Sequence, residues 1–157
     1  MDEDSYMQME TVQIKGVDST KRETKAVLGR NAKIVIKERL MTHGCQDAES
    51  RFHVELNGED SSANVISRSV ARDHSHQLYI SNITGNNKCS GHTECDAIIM
   101  DSATIQAVPE LTANNIDAAL IHEAAIGKIA GEQLIKLMTL GLTEEEAEAQ
   151  IVNGFLK

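Results

Sequence analysis

Short segments in which apolar and polar residues alternate recur between residue 6 and about residue 120, and they constrain the fold more than any other feature. Alternation with a period of two is typical of β-strands, whose successive side chains point to opposite faces. Turn-forming residues separate the segments, as at 57–58 and 84–87. The segments are residues 7–9, 12–14, 33–37, 52–56, 63–67, 77–81, 97–100, 104–108 and 118–121. The pattern predicts a sandwich, a barrel or a β-solenoid.

The composition favours the solenoid among these three architectures. Hydrophobic residues make up 41% of the chain, but aromatic residues only 3%, and tryptophan is absent. Thin solenoid layers can be filled with Val, Ile, Leu, Met and Ala, whereas a sandwich usually needs larger side chains. Small residues and asparagine lie between the segments, where stacked turns require them. No repeat is visible by inspection, so the expectation of a mainly β solenoid depends on segment spacing and composition.

A helical pattern replaces the β pattern in the C-terminal tail. Apolar residues at helical spacing precede a glycine that can end a helix: Leu134, Leu137, Met138 and Gly141. Thr143 and Glu146 match a capping box, which predicts a second helix running to about Phe155. We therefore expect a β core over residues 1–126 and a helical hairpin over residues 127–157. The apolar stripe of each helix either packs on its own domain or docks a partner.

Charge and composition exclude several partners. The formal net charge is −9, which repels nucleic-acid phosphates and anionic lipid. No apolar stretch approaches the ~20 residues that span a bilayer. Residues 1–4 are acidic, unlike a signal or transit peptide, and the three cysteines fit free thiols in a reducing compartment. We expect a cytoplasmic protein that binds neither nucleic acid nor membrane.

His122 and Glu123 lie where the β pattern gives way to the helical one. Neighbouring residues on a strand point to opposite faces, so only one of the two can face a given neighbour if the strand continues this far. On spacing alone they are either ordinary polar residues at a turn or a functional pair. The chain contains no nucleophile elbow, Walker loop, dinucleotide fingerprint or zincin helix, so a self-contained enzyme is not expected.

Cys89, His92 and Cys95 are spaced as Cys-x2-His-x2-Cys, which raises zinc binding as an alternative. On a straight strand the two cysteines share a face while His92 points away, and a closed zinc site requires four ligands in a tetrahedron. The simpler interpretation of each thiol is a buried, unreactive cysteine, and we expect this for Cys45.

Three stretches of the tail carry a resemblance to a known family: residues 122–134 (HEAAIGKIAGEQL), 141–147 (GLTEEEA) and 151–155 (IVNGF). They resemble the C-terminus of the SufB/SufD family, the scaffold proteins of the SUF iron–sulfur cluster assembly machinery. Residues 65–68 and 94–99 also resemble the β core of that family. The resemblance is close over residues 50–157 and looser before them. Full-length members usually have an N-terminal helical region and further coils, so the chain is expected to cover only part of the family's β core.

The resemblance implies a right-handed parallel β-helix followed by a helical tail, in agreement with the pattern of the residues. It also implies dimerisation through the end of the β-helix, with a second copy or a SufB/SufD paralogue. The tail is implied to dock a SufC-type ABC ATPase, while the chain itself binds no nucleotide. The implied docking residues are Glu132, Gln133, Leu134, Leu137, Ile151 and Phe155.

By position, the resemblance implies that Cys95 is a cluster ligand and that His122 and Glu123 lie with it near the dimer interface. A thiolate is a soft ligand for cluster iron, and imidazole and carboxylate complete the coordination with weaker bonds that suit a transient cargo. The first hypothesis is thus a scaffold that holds a nascent cluster. The alternatives are a purely structural SUF subunit that ligates no metal, and a zinc-bound β-solenoid.

Overall fold

The computed structural model describes all of residues 1–157 and contains nine strands and two helices. The strands are β1 (Tyr6–Gln13), β2 (Ser19–Leu28), β3 (Lys33–Thr42), β4 (Asp47–Leu56), β5 (Ser61–Ala71), β6 (His76–Gly85), β7 (Cys89–Ile99), β8 (Thr104–Ala113) and β9 (Ala118–Gly127). The helices are α1 (Gly131–Met138) and α2 (Glu144–Phe155). None of the helices is long and apolar enough to cross a membrane.

Successive strands alternate between two parallel sheets, and each pair of strands forms one coil. One sheet has the order β1-β3-β5-β7-β9 and the other β2-β4-β6-β8. Lys33 pairs with Ser62, 29 positions further along the chain, and His76 pairs with Thr104, 28 positions further. The fold is therefore a parallel β-helix with a helical tail, which confirms the predicted fold class.

The strands are longer than the predicted segments, and β2 has no counterpart among them. Most strands contain 10 or 11 residues because the ladder continues through polar positions that interrupt the apolar alternation. In β2 the partly buried positions include Thr20, Arg22 and Thr24. These side chains give no apolar signal, so the alternation that identifies a half-buried strand is missing.

Aliphatic side chains fill the space between the two sheets. The cluster includes Leu28, Leu56, Ile83, Val54 and Val65, all 0–1% exposed. The one aromatic pair is Phe52 with Tyr79, whose ring centroids are 5.6 Å apart and whose planes are tilted by 44°.

The corners between strands are built from stacked asparagine and aspartate residues. Asn86 donates a hydrogen bond from Nδ2 to Oδ1 of Asn57 at 2.6 Å, and Asn114 donates to Asn86 at 2.7 Å. At the same corner of the coil, Asn31 and Asp60 occupy equivalent turns with φ of 53° and 57°. Asn and Asp tolerate this left-handed conformation better than other non-glycine residues, which explains why they recur there.

The two helices differ in how they contact the β-helix. The capping box of α2 is present, because Glu146 N donates to Thr143 Oγ1 at 3.2 Å and Thr143 N donates to Glu146 Oε2 at 2.8 Å. Val152 and Leu156 at the end of α2 pack with Val70 on the outer face of the five-stranded sheet. No residue of α1 is buried; this helix ends at Met138, before the predicted Gly141 stop.

Candidate functional site

The predicted ligands lie on β7 and β9, the last two strands of the five-stranded sheet. In their parallel register, Thr93 pairs with His122, Glu94 with Glu123 and Cys95 with Ala124. Alternation therefore directs Cys95 and His122 toward the interior and Glu123 toward the outer face. The strand continues through both residues to Gly127, so His122 and Glu123 face opposite sides, as expected for that case.

Cys95 is 1% exposed and belongs to the core cluster between the sheets. Burial raises the pKa of its thiol to about 12, and the negative charges of Asp96 and Glu38 act in the same direction. In this arrangement the sulfur is a neutral thiol at physiological pH, whereas iron is bound by the thiolate.

His122 occupies the same inner face as Cys95, two residues earlier in the register. Burial lowers the pKa of its imidazole, so the ring is neutral at physiological pH. Its Nδ1 atom is buried and has no hydrogen-bond partner. Buried polar atoms rarely lack a partner, and a neutral imidazole nitrogen without one is available as a metal ligand.

Glu123 extends from the outer face of the sheet toward His92. Its Oε2 lies 3.0 Å from His92 Nε2, and the other ring nitrogen, Nδ1, lies 3.1 Å from Asn64 Oδ1. Ligand atoms of His92, Glu94 and Glu123 all lie within 4.8 Å of one another. The side chain of Glu94 is hydrogen-bonded to that of Asp96, which raises the pKa of Glu94. In this structure, which we call closed because β9 is paired with β7, Glu123 lies on the outer face of the sheet and Cys95 and His122 lie on the inner face.

The residues of the zinc alternative do not converge. Cys89 and Cys95 are buried on the inner face, while the partly exposed His92 lies on the outer face. Burial also raises the pKa of the Cys89 thiol. The expectation of a buried Cys45 is wrong, because Cys45 lies in the corner between β3 and β4 and is exposed.

A buried ionic cluster inside the β-helix was missed by sequence reasoning. Glu38 is 3% exposed and accepts hydrogen bonds from Arg22 at 2.9 Å, Ser50 at 2.6 Å and Ser67 at 3.0 Å. Ser67 pairs with Cys95, so the cluster borders the predicted thiol ligand. The sequence did carry a signal: the alternation of β3 places Glu38 at an inward position among apolar residues.

The implied docking residues lie on the two tail helices. Glu132 and Gln133 are exposed at the start of α1, while Leu134 and Leu137 are partly buried. On α2, Ile151 and Phe155 are also partly buried. Apolar side chains of the tail that stay uncovered include Ile135, 63% exposed, and Leu140, 77% exposed.

Comparison with known proteins relates this chain to the SufBD family, both by a family model and by individual relatives. The family model described as "SUF system FeS cluster assembly, SufBD core domain" matches residues 1–155. An iron–sulfur cluster assembly SufBD family protein of Methanothermobacter thermautotrophicus is 38% identical over 130 residues, which are 82% of this chain and 32% of that protein. SufBD family proteins of Pyrococcus horikoshii and Archaeoglobus fulgidus are 35% and 40% identical, over 87% and 65% of this chain and 42% and 28% of theirs. The chain spans less than half the length of these relatives.

Proposed function

Because this chain belongs to the SufBD core family of the SUF iron–sulfur cluster assembly system, we propose that it is a non-catalytic scaffold subunit that holds a nascent cluster at a subunit interface. The proposed ligands are Cys95, His122 and Glu123. The observation that carries the proposal is the placement of Cys95 and His122 on one inner face of the terminal strand pair, with His122 Nδ1 lacking a partner.

Cluster binding requires a structural change, since Cys95 is buried and protonated in the closed arrangement. The strand that carries His122, β9, is the last of its sheet and is hydrogen-bonded on one side only, to β7. Moving β9 away from β7 would admit water and iron to Cys95, allow the thiol to ionise, and free Glu123 to turn toward the same site. We therefore propose that the cluster assembles when β9 is displaced.

The helical tail is the proposed source of that displacement. Only residues 128–130 separate β9 from α1, so force on the helices reaches β9 directly. We propose that a SufC-type ATPase docks on the tail through Glu132, Gln133, Leu134, Leu137, Ile151 and Phe155. The exposed apolar side chains Ile135 and Leu140 support a docking role, because they have no cover in this chain.

A dimer is proposed at the β9 end of the β-helix, where the terminal coil leaves apolar side chains such as Ile121 and Val108 exposed. The partner is a second copy or a SufB/SufD paralogue. We propose that cluster assembly by this chain takes place in the cytoplasm, where reducing conditions keep ligand thiols free.

The test is anaerobic reconstitution with ferrous iron and sulfide, read by visible absorption and by mass in solution. Wild type is expected to form a cluster chromophore on a dimer, and Cys95→Ala to lose the chromophore while remaining folded. Cys45→Ala is the matched control, because it removes an exposed thiol outside the site and should load normally. Equal loading of Cys95→Ala and wild type would refute the ligand assignment.

The second candidate is a structural SUF subunit that forms the complex without ligating iron. The burial of Cys95 favours it, since an inaccessible thiol needs no reactive role. A dimer that binds the ATPase but stays colourless in wild type and both variants would identify this second function.

A further inference from the structure

A compact group of metal-ligand side chains lies on the outer face of the five-stranded sheet, opposite Cys95 and His122, and it includes the third proposed cluster ligand, Glu123. It consists of His92 and Glu94 on β7 and Glu123 on β9. In-register pairing of Glu94 with Glu123 holds the two carboxylates side by side, and alternation on β7 places His92 on the same face. The backbone ladder therefore sets the spacing of the ligand atoms.

Asn64 on the neighbouring strand β5 orients the imidazole. Its amide oxygen is an acceptor, so His92 Nδ1, at 3.1 Å, carries the proton of that hydrogen bond. In the neutral ring, Nε2 then presents a lone pair toward Glu123 Oε2 at 3.0 Å. Two lone pairs at this distance repel, so a proton or a cation has to lie between them. An oxygen that fixes the tautomer in this way is the usual second partner of a metal-bound histidine.

The charges around the group also favour a cation. Glu94, Asp96 and Glu123 place three carboxyl groups close together on the outer face. The positively charged Arg68 is the other nearby basic group, besides His92, that lowers the pKa of Glu94. One imidazole with two carboxylates is a ligand set that suits ferrous iron, manganese, cobalt or zinc rather than calcium or a cuprous ion. Glu123 is 66% exposed, which leaves room for water to complete the coordination.

We propose that His92, Glu94 and Glu123 bind one divalent first-row transition cation on the outer face of β7 and β9. Since two ligands lie on β7 and one on β9, the site is complete only while these strands are paired. The bound cation thus ties β9 in its closed position. Displacement of β9 would separate Glu123 from His92 and Glu94 and so release the cation. The use of this cation for cluster assembly rests on the proposed function, whereas cation binding itself does not.

The test is titration of the full chain with cobalt(II), without sulfide, followed by visible absorption and calorimetry. Wild type is expected to bind one cobalt ion per chain. His92→Gln and Glu123→Gln should each raise the dissociation constant at least tenfold. The matched control is His53→Gln, because His53 is another outer-face histidine, 3.4 Å from a single glutamate, Glu23, with no third ligand. This control should bind like wild type.

Asn64 is a positioning residue and has its own test. Asn64→Ala should weaken cobalt binding about 10- to 100-fold, the usual effect of removing the partner of a metal-bound histidine. Asn64→Asp keeps the acceptor oxygen and should restore binding, which a merely structural role for Asn64 would not produce.

Two results would overturn the proposal. Equal cobalt binding by wild type and His92→Gln would mean that His92 and Glu123 form an ion pair only. Loss of binding in Cys95→Ser, with thiolate-to-cobalt charge-transfer absorption in wild type, would place the cation on the inner face instead. Normal cluster loading by a chain that fails to bind cobalt would refute this site and leave the proposed function intact.

Discussion

At the scale of single residues, the interior of the β-helix is polar where it approaches the proposed thiol ligand. Glu38 is fully enclosed but accepts three hydrogen bonds, including one from the guanidinium of Arg22. A buried carboxylate persists only when such partners offset its lost hydration. Its negative charge also contributes to the high pKa of Cys95, so the same group stabilises the fold and keeps the thiol protonated.

Removing the Glu38 carboxylate is expected to destabilise the fold strongly. Glu38→Ala leaves Arg22, a partly buried cation, without its counter-charge, and we expect the free energy of unfolding to fall by about 3 kcal/mol. Urea denaturation measures the loss. Glu23→Ala is the control, since Glu23 is an exposed ion-pair partner and should cost less than about 1 kcal/mol. A similar loss in the two variants would show that the buried network contributes little.

Stability is expected to fall at alkaline pH because two buried acids keep their protons in the folded state. Burial raises the pKa of Cys95 from 9.0 to about 12 and that of Tyr79 from 10.0 to about 12. Between the ordinary and the raised pKa values, the unfolded chain has lost these protons and the folded chain has not. Each group therefore lowers the free energy of unfolding by about 1.4 kcal/mol per pH unit in this window.

The contribution of Tyr79 can be isolated by urea denaturation of Tyr79→Phe as a function of pH. Between about pH 10 and about pH 12, the free energy of unfolding should decline less steeply in the variant than in wild type, because the variant lacks one of the two buried acids. Tyr6→Phe removes an exposed tyrosine, so the free energy of unfolding of this variant should decline as steeply as that of wild type. Parallel curves for Tyr79→Phe and wild type would contradict the raised pKa of Tyr79.

At the scale of elements, α2 is attached to the β-helix and α1 is not. Val152 of α2 and Leu156 directly after it bury apolar surface against the sheet, and Arg39 donates a hydrogen bond to the carbonyl oxygen of Leu156 at 3.3 Å. Arg72 adds an ion pair with Glu148 at 3.4 Å. With no buried residue, α1 depends on α2 and on any docked partner for its position.

The capping box should determine how firmly α2 begins. Thr143→Ala removes the side-chain acceptor for Glu146 N, and we expect a loss of about 1 kcal/mol with faster amide exchange in the first turn. Thr139→Ala is the control, because the Thr139 hydroxyl donates only to the carbonyl of Lys136 at the exposed end of α1. Unchanged exchange at the start of α2 would show that tail packing alone maintains the helix.

At the scale of the whole molecule, each coil contacts only its neighbours, as in other solenoids. The central strands β3, β5 and β7 are hydrogen-bonded on both sides, and so are β4 and β6, whereas β1, β2, β8 and β9 are hydrogen-bonded on one side. His122 and Glu123 therefore lie on a strand that is hydrogen-bonded on one side only, beside the β7 strand that carries Cys95. Opening the sheet between β7 and β9 costs less free energy than opening it between central strands.

Amide hydrogen exchange should show this gradient. We expect the slowest exchange in β5 and β6 and exchange at least tenfold faster in β9, because opening the terminal strand breaks one ladder rather than two. Saturating cobalt(II) should slow exchange in β9 of wild type but not of His92→Gln. Uniform protection across the coils would contradict the gradient and the proposed movement of β9.

The sequence by itself determined the architecture and the opposite orientation of His122 and Glu123. Alternation with a period of two follows directly from strand geometry, and a change to helical spacing marks the tail. The strands and the helical tail can therefore be predicted without knowledge of tertiary contacts. The 28- to 29-residue repeat of the coils could not be detected in the sequence, because a turn and an inward-facing position repeat and not a residue type. For the same reason β2, with threonine and arginine at its partly buried positions, escaped detection.

Only the tertiary structure decided which residues share a face across neighbouring strands. Parallel pairing between residues 28 or 29 positions apart brings Glu94 beside Glu123, Asn64 beside His92 and Glu38 beside Ser67. No local pattern encodes these pairs, since each depends on the length of an intervening coil. The protonation of Cys95 is also a tertiary property, because it results from burial and from the Glu38 carboxylate on β3 as well as from the adjacent Asp96.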